Sequence, residues 1–131
     1  MKYVFEDNPA FKAMFDAYEG KPHDRLPEHA VFCVDSGRIV GAIELNLECK
    51  TLDKVPVYTA HWEFAKGYRS GFVLKVAKMI LNRVGRCILN VVIFDKLSPR
   101  FRASKLMAHK LGFKIINQTN DASILSLHWG N

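Results

Sequence analysis

The stretch "EFAKGYRSGFVLKVAKMIL", 63–81, holds the residues best placed to do chemistry. A strand-like run enters a short turn containing Gly67 and Gly71, and an amphipathic helix leaves it. The first turn of a helix has N–H groups without intrahelical partners and a partial positive charge, so such a corner holds anions. Tyr68, Arg69, Ser70, Gly71 and Phe72 supply those N–H groups, while Lys66 and Arg69 add charge. Gly71 lacks the Cβ that keeps a backbone away from an anion. The same residues also suit a plain strand-to-helix connection whose glycine serves tight packing.

His61 and Glu63 lie just before the turn in the alternating run "VPVYTAHWEFAK". They share a strand face with Val57 and Thr59, opposite Tyr58, Ala60, Trp62 and Phe64. Either side chain can act as a base, and an imidazole titrates near neutrality. A cross-strand polar pair is the structural alternative. His23, His29, His61, His109 and His128 have no metal-ligand spacing, and Cys33, Cys49 and Cys87 form no CxxC, so no metal is expected. The thiols read as reduced. Ser, His and Asp residues are scattered, with no nucleophile elbow.

The elements that must position these residues follow from periodicity. "KYVFED" reads as a first strand. "NPAFKAMFDAYEG" is a helix with Asn8 as N-cap, Pro9 in its first position and Gly20 past its end. Phe11, Met14, Phe15 and Tyr18 form its buried stripe. "KPHDRLPEH" has two prolines and no period, so it is loop. "AVFCVDSGRIVGAIELNLEC" is a hairpin around "DSG", with Gly37 available for positive φ. After the alternating third strand of this meander, Val73, Val76, Ala77, Ile80 and Val84 mark a helix that ends at Gly85. "RCILNVVIF" suits a buried central strand. "SPRFRASKLMAHKLGF" is a helix with Ser98 as N-cap, Pro99 in its first turn and Gly112 as its stop. "KIINQ" and "SILSLHW" close the chain as strands around "TNDA". The predicted order is β-α-β-β-β-α-β-α-β-β, an α/β (α+β) arrangement.

The chain's 131 residues, 49% of them hydrophobic and 24% charged, suit a single domain, 1–131, with one core. Charges interrupt every apolar run too early for a membrane span, and the start lacks the apolar core of an export signal, so a cytoplasmic protein is expected. The net charge is +6 and unevenly placed: between Lys66 and Lys114 the only acidic residue is Asp95. Segregated charge of this kind points to an anionic partner for the second half.

The element order, with "EFAKGYRSGFVLKVAKMIL" and the helix ending "AHKLGFKIINQ", resembles the GNAT-type N-acetyltransferases. The resemblance covers nearly the whole chain in topology and few residues in motif. It implies a mixed central sheet whose fourth strand runs into a turn that binds the pyrophosphate of acetyl-CoA. The family writes that turn Gln/Arg-x-x-Gly-x-Gly/Ala; here Gly71 matches the first glycine, Tyr68 stands for the Gln or Arg, and Val73 takes the second small position. The resemblance also implies that the pantetheine arm pairs with the fourth strand near Phe64 to Lys66, and that the fourth and fifth strands splay apart beside it. The family's later helix often shows Asn-x-x-Ala-x-x-x-Tyr; counting back from Gly112 puts Ala108 at the tyrosine, Ser104 at the alanine and Phe101 at the asparagine. The usual general acid is therefore absent, with Ser104 on the same face one turn earlier and His109 beside Ala108.

The resemblance implies an acyl-CoA-dependent N-acyltransferase, acetyl-CoA as co-substrate, an amine of a protein or small molecule as acceptor, and Glu63, His61 and Ser104 as catalytic candidates. The small size is similar to trimmed members of the superfamily encoded by bacteriophages, which would place the protein in a host cytoplasm. Two other functions compete. A fold that kept its shape and lost its chemistry could engage a host protein or sit in a virion. A basic module could bind nucleic acid through Lys75, Lys78, Arg83, Arg100, Arg102 and Lys105, although no aromatic stacking platform accompanies them.

Overall fold

A computed structural model describes residues 1–21, 25–94 and 101–130, without the side chains of 70 and 101–103. The elements are β1 (Lys2–Phe5), α1 (Phe11–Glu19), β2 (His29–Asp35), β3 (Arg38–Lys50), β4 (Pro56–Phe64), α2 (Ser70–Val84), β5 (Cys87–Phe94), α3 (Phe101–Leu111), β6 (Lys114–Gln118) and β7 (Ala122–Trp129). This is the order the periodicities predict. The strands form one seven-stranded sheet in the order β1-β2-β3-β4-β5-β7-β6. Every neighbouring pair is antiparallel except β4 and β5.

The β2–β3 hairpin turns on Ser36 and Gly37, with φ of 52° and 77°. Positive φ at both central residues is the mirror-image turn whose twist matches the flanking strands. The first helix begins later than Asn8 and Pro9 suggest. Asn8 Oδ1 accepts the Ala10 N–H at 2.9 Å and the Asn8 carbonyl accepts the Phe11 N–H at 2.9 Å. The asparagine side chain thus closes a turn ahead of the helix, and Ala10 becomes the N-cap. Gly20 ends α1 in the left-handed region, φ 76°. Ser98, Pro99 and Arg100, expected to start α3, lie outside the described residues, as do His23 and Asp95.

Period-2 alternation sends side chains to two cores. Ala30 and Phe32 of β2 meet Phe11 and Phe15 of α1 on one face, with Val4 of β1. Phe11 stacks on Phe15 and Phe32 at centroid distances of 5.8 and 5.0 Å. Val31, Ile43, Leu45 and Tyr58 point the other way, onto Val76, Ala77, Ile80 and Leu81 of α2, in a cluster that also takes in Ala108 of α3. Among the described residues, no helix is long and apolar enough to cross a membrane.

The single parallel junction is short. β4 and β5 pair only over Val57–Thr59 against Ile88–Asn90. Beyond those rungs β4 continues to pair with β3 as far as Phe64, and β5 with β7 as far as Phe94. The two strands therefore part toward their C-terminal ends, where β4 also delivers the chain to α2. In open α/β sheets that end of a parallel pair is where ligands lodge.

Candidate active site

A hollow flanks the C-terminal half of β4 on the α1 face, and register explains it. On the α1 face, Ala30 pairs with Glu44 and Phe32 with Ala42. Continuing across the sheet, Glu44 pairs with His61 and Ala42 with Glu63. The face therefore reads Ala30–Glu44–His61 on one rung and Phe32–Ala42–Glu63 on the next. Two alanines stand where larger residues would fill the space. The result is a cavity of about 270 Å³, walled on its apolar side by Phe11, Phe15, Phe32 and Tyr18. Glu19, Glu44, Glu63 and His61 supply its polar lining.

Glu63 is held within this cavity. The Tyr18 hydroxyl donates to Glu63 Oε2 at 2.9 Å, and partial burial together with the adjacent carboxylate keeps the phenol protonated well above its usual range. Glu63 also lines a smaller hollow of about 150 Å³ with Tyr18, Ile39, Gly41, Phe64 and Ala65, on the side toward the turn. The structure thus brings Glu63 and His61 together, as their shared face predicts. Ser104 is half-buried on α3 and is not among the cavity's described walls. Ala108, at the family's tyrosine position, is fully buried at 0% exposure.

The second feature is the parting of β4 from β5 beyond their three paired rungs, beside the start of α2. Arg69 is the N-cap of α2, in extended backbone with no side-chain cap. The sequence reading of five converging amides needs correction. The Tyr68 N–H bonds the Ala65 carbonyl at 3.4 Å, and the Phe72 N–H bonds the Arg69 carbonyl at 3.1 Å. Arg69, Ser70 and Gly71 lie at the start of α2, where a helix itself supplies no acceptor for the N–H groups. Among the described residues, a Cβ built on Gly71 meets nothing within 4 Å, and the residue is not among the glycines of positive φ. Neither packing against the described residues nor backbone conformation therefore requires glycine here.

Tyr68 does not face an anion as a free side chain: its hydroxyl donates to Asp35 Oδ2 at 3.0 Å. Its ring leans on Phe72 at 5.2 Å, and Phe72 meets Phe64 edge-on at 6.0 Å. The Phe64 ring occupies the space a Cβ would take on Gly41, its cross-strand partner. Lys66 and Arg69 are exposed at the corner. Trp62 reaches the second residue after α3, with its ring 6.2 Å from that of Phe113.

Sequence reasoning placed Tyr18 in a buried stripe and missed its bond to Glu63; Glu19, Glu44 and the alanine hollow were also missed. The antiparallel register of β3 and β4 is the signal that places Glu44 opposite His61. Of the basic residues proposed for nucleic acid, Arg83 bonds Asp7 at 3.2 Å and lies 3.9 Å over the Phe5 ring, so it is already engaged. Lys75 and Lys78 are exposed on α2.

No protein-family model matches the sequence, and no curated protein does. Solved structures do match the fold. The chain is similar to an acetyltransferase of the GNAT family from Streptococcus pneumoniae, at TM-score 0.60 and 12% identity, covering 98% of this chain and 100% of that one. It is similar to a GNAT superfamily phosphinothricin acetyltransferase from Sinorhizobium meliloti in complex with acetyl-CoA, at TM-score 0.60 and 11% identity over 99% and 90% of the two chains. The ribosomal-protein-S5-alanine acetyltransferase from Vibrio fischeri matches at TM-score 0.60 and 10% identity over 92% and 70%. The fold is the GNAT N-acetyltransferase fold.

Proposed function

We propose that the protein is an acyl-CoA-dependent N-acyltransferase that transfers acetyl from acetyl-CoA to an amine. The observation that carries this reading is the parting of β4 from β5 beside the first turn of α2, where Gly71 faces open space. The chain's own features fit the co-substrate. The amides of Arg69, Ser70 and Gly71 would hold the diphosphate, with Lys66 and Arg69 adding charge. The edge of β4 near Phe64 to Lys66 would take the extended arm. Tyr68 and Phe72 contribute here by packing the turn, since their amides are spent. Acetyl-CoA supplies an activated acyl group as a thioester.

The remaining work falls to side chains. Glu63 receives the proton that an ammonium acceptor must lose, directly or through a water, and the Tyr18 hydroxyl fixes which carboxylate oxygen is free to do so. His61, on the same face one rung away, is the second base candidate. Ser104 is the hydroxyl that α3 retains near the position where the family uses tyrosine. Titration calorimetry with acetyl-CoA tests the reading: binding is expected, and it weakens with an acidic side chain at Gly71. No binding of any acyl-CoA at millimolar concentration overturns it.

One observation favours a second reading. Because Ala108 is packed in the core, the fold has no room for the usual general acid there, as expected of a GNAT-fold binding protein without turnover. Release of free thiol from acetyl-CoA in the presence of an amine would dispose of that reading.

A further inference from the structure

The corner between β4 and α2 is fastened to the β2–β3 hairpin at two points. The Ala65 N–H donates to the Val40 carbonyl at 2.8 Å, and the Tyr68 hydroxyl donates to Asp35 Oδ2 at 3.0 Å. Between these points the Tyr68 N–H bonds the Ala65 carbonyl at 3.4 Å, a contact internal to the corner. Ala65, Lys66, Gly67 and Arg69 are exposed, and Tyr68 alone of residues 65–69 is half-buried. Among the described residues, a Cβ built on Gly67 meets nothing within 4 Å, and its φ of 100° suits glycine. Asp35, by contrast, is fixed by sheet pairing: it ends β2, pairs with Arg38 and leads into the Ser36–Gly37 turn. Directly after Tyr68, the Arg69 carbonyl accepts the Phe72 N–H at 3.1 Å and the Val73 N–H at 3.2 Å. The first bonds of α2 therefore start one residue beyond the tether.

We propose that Asp35 is a positioning residue for this corner: through the Tyr68 hydroxyl, its carboxylate fixes Arg69 and so the direction in which the first turn of α2 points. A hydrogen bond to a carboxylate is among the stronger ones, and here it joins an exposed segment to a paired strand. Position 68, where the family's turn carries Gln or Arg, thus holds a side chain tied back to the protein. That the turn receives a diphosphate rests on the acyltransferase reading; that Asp35 holds the turn does not. The bond and the charge of Asp35 act in opposite senses on an anion. A carboxylate acting by charge alone repels a diphosphate, so its removal tightens binding. Acting through the tyrosine, its removal loosens binding. The sign of the effect separates the two.

Calorimetry with acetyl-CoA and amide exchange, both on the full chain, test the inference with Y68F, D35A, D35N and the double variant Y68F/D35A. Y68F keeps the ring beside Phe72 and deletes the donor; D35N keeps an acceptor oxygen and deletes the charge. Y68F and D35A are each expected to weaken acetyl-CoA binding about tenfold, as loss of one charge-assisted contact would. The double variant should bind no more weakly than either single one, because both changes break the same bond. D35N should stay within about threefold of the parent, a rescue that general destabilisation does not give. Exchange at the Phe72 and Val73 amides should quicken in Y68F and D35A and stay near the parent's rate in D35N. Tighter binding in D35A and D35N overturns the inference. If the parent binds acetyl-CoA and both Y68F and D35A bind and exchange as it does, the acyltransferase reading stands and the positioning role falls. If the parent binds no acyl-CoA, the acyltransferase reading falls and exchange alone decides: quickened exchange in Y68F and D35A keeps the role of Asp35, and unchanged exchange ends it.

Discussion

The Tyr18 hydroxyl donates a 2.9 Å hydrogen bond to Glu63 Oε2, joining the last turn of α1 to the end of β4. This bond spans 45 residues of sequence and fixes a carboxylate that otherwise stands exposed. Removing the carboxylate should be far worse for turnover than removing the hydroxyl. E63Q is expected to lower thiol release from acetyl-CoA by about 100-fold, the usual contribution of a positioned base. Y18F should lower it several-fold and leave acetyl-CoA affinity unchanged. Equal rates for E63Q and the parent would transfer the role to His61.

Gly71 separates ligand binding from stability. It lies in the first turn of α2 with open space around its Cβ position. G71A should therefore stabilise the fold by up to about 1 kcal/mol, since alanine is the better helix former. G71E should leave the melting temperature nearly unchanged and weaken acetyl-CoA binding more than tenfold by repelling the diphosphate. A G71E variant that melts early would restore a packing role for the glycine.

Gly41 behaves in the opposite way. Any Cβ there collides with the Phe64 ring. G41A should cost about 1–3 kcal/mol, the range for overpacking a filled site, and denaturant melts would read it directly. Because Phe64 supports Phe72, acetyl-CoA affinity should fall as well. A neutral G41A would show that the ring is free to move aside.

The cysteines give a pH prediction. Cys33 and Cys87 are buried and Cys49 is exposed, all three as free thiols. Burial pushes the Cys33 and Cys87 thiols up to about 11. A thiol reagent at mild alkaline pH should label Cys49 alone in the native protein and all three after denaturation. The unfolded chain releases these two protons near pH 9, while the native state keeps them until about pH 11. Stability should therefore be whole below pH 9 and fall as the pH rises through 11. A C33A/C87A variant should lose less over that interval.

Much of the fold was legible because local chemistry and tertiary structure agree. The hairpin at Gly37, the helix stop at Gly20 and the opposed faces of β4 each follow from a single local rule. The start of α1 was misplaced because Asn8 serves a turn and a cap equally well; the side chain chose the turn. The site was legible where it runs along one segment, as for His61 and Glu63. It was illegible where segments meet. Glu44 enters through cross-strand register, Tyr18 through the docking of a helix end, and the Tyr68–Asp35 bond through a hairpin tip folding back on the turn. The spent amides of Tyr68 and Phe72 depend on how the chain closes the corner, which composition does not specify.

The brief β4–β5 seam leaves a sheet with raw edges in its interior. Along both lips, main-chain donors and acceptors that a continuous sheet would pair with one another must turn to solvent or to a guest. An extended guest chain can satisfy a lip as a missing strand would. Filling the gap should therefore knit the four-strand and three-strand halves into one mechanical unit, and slow amide exchange along Ala60–Phe64 is where that knitting would be felt.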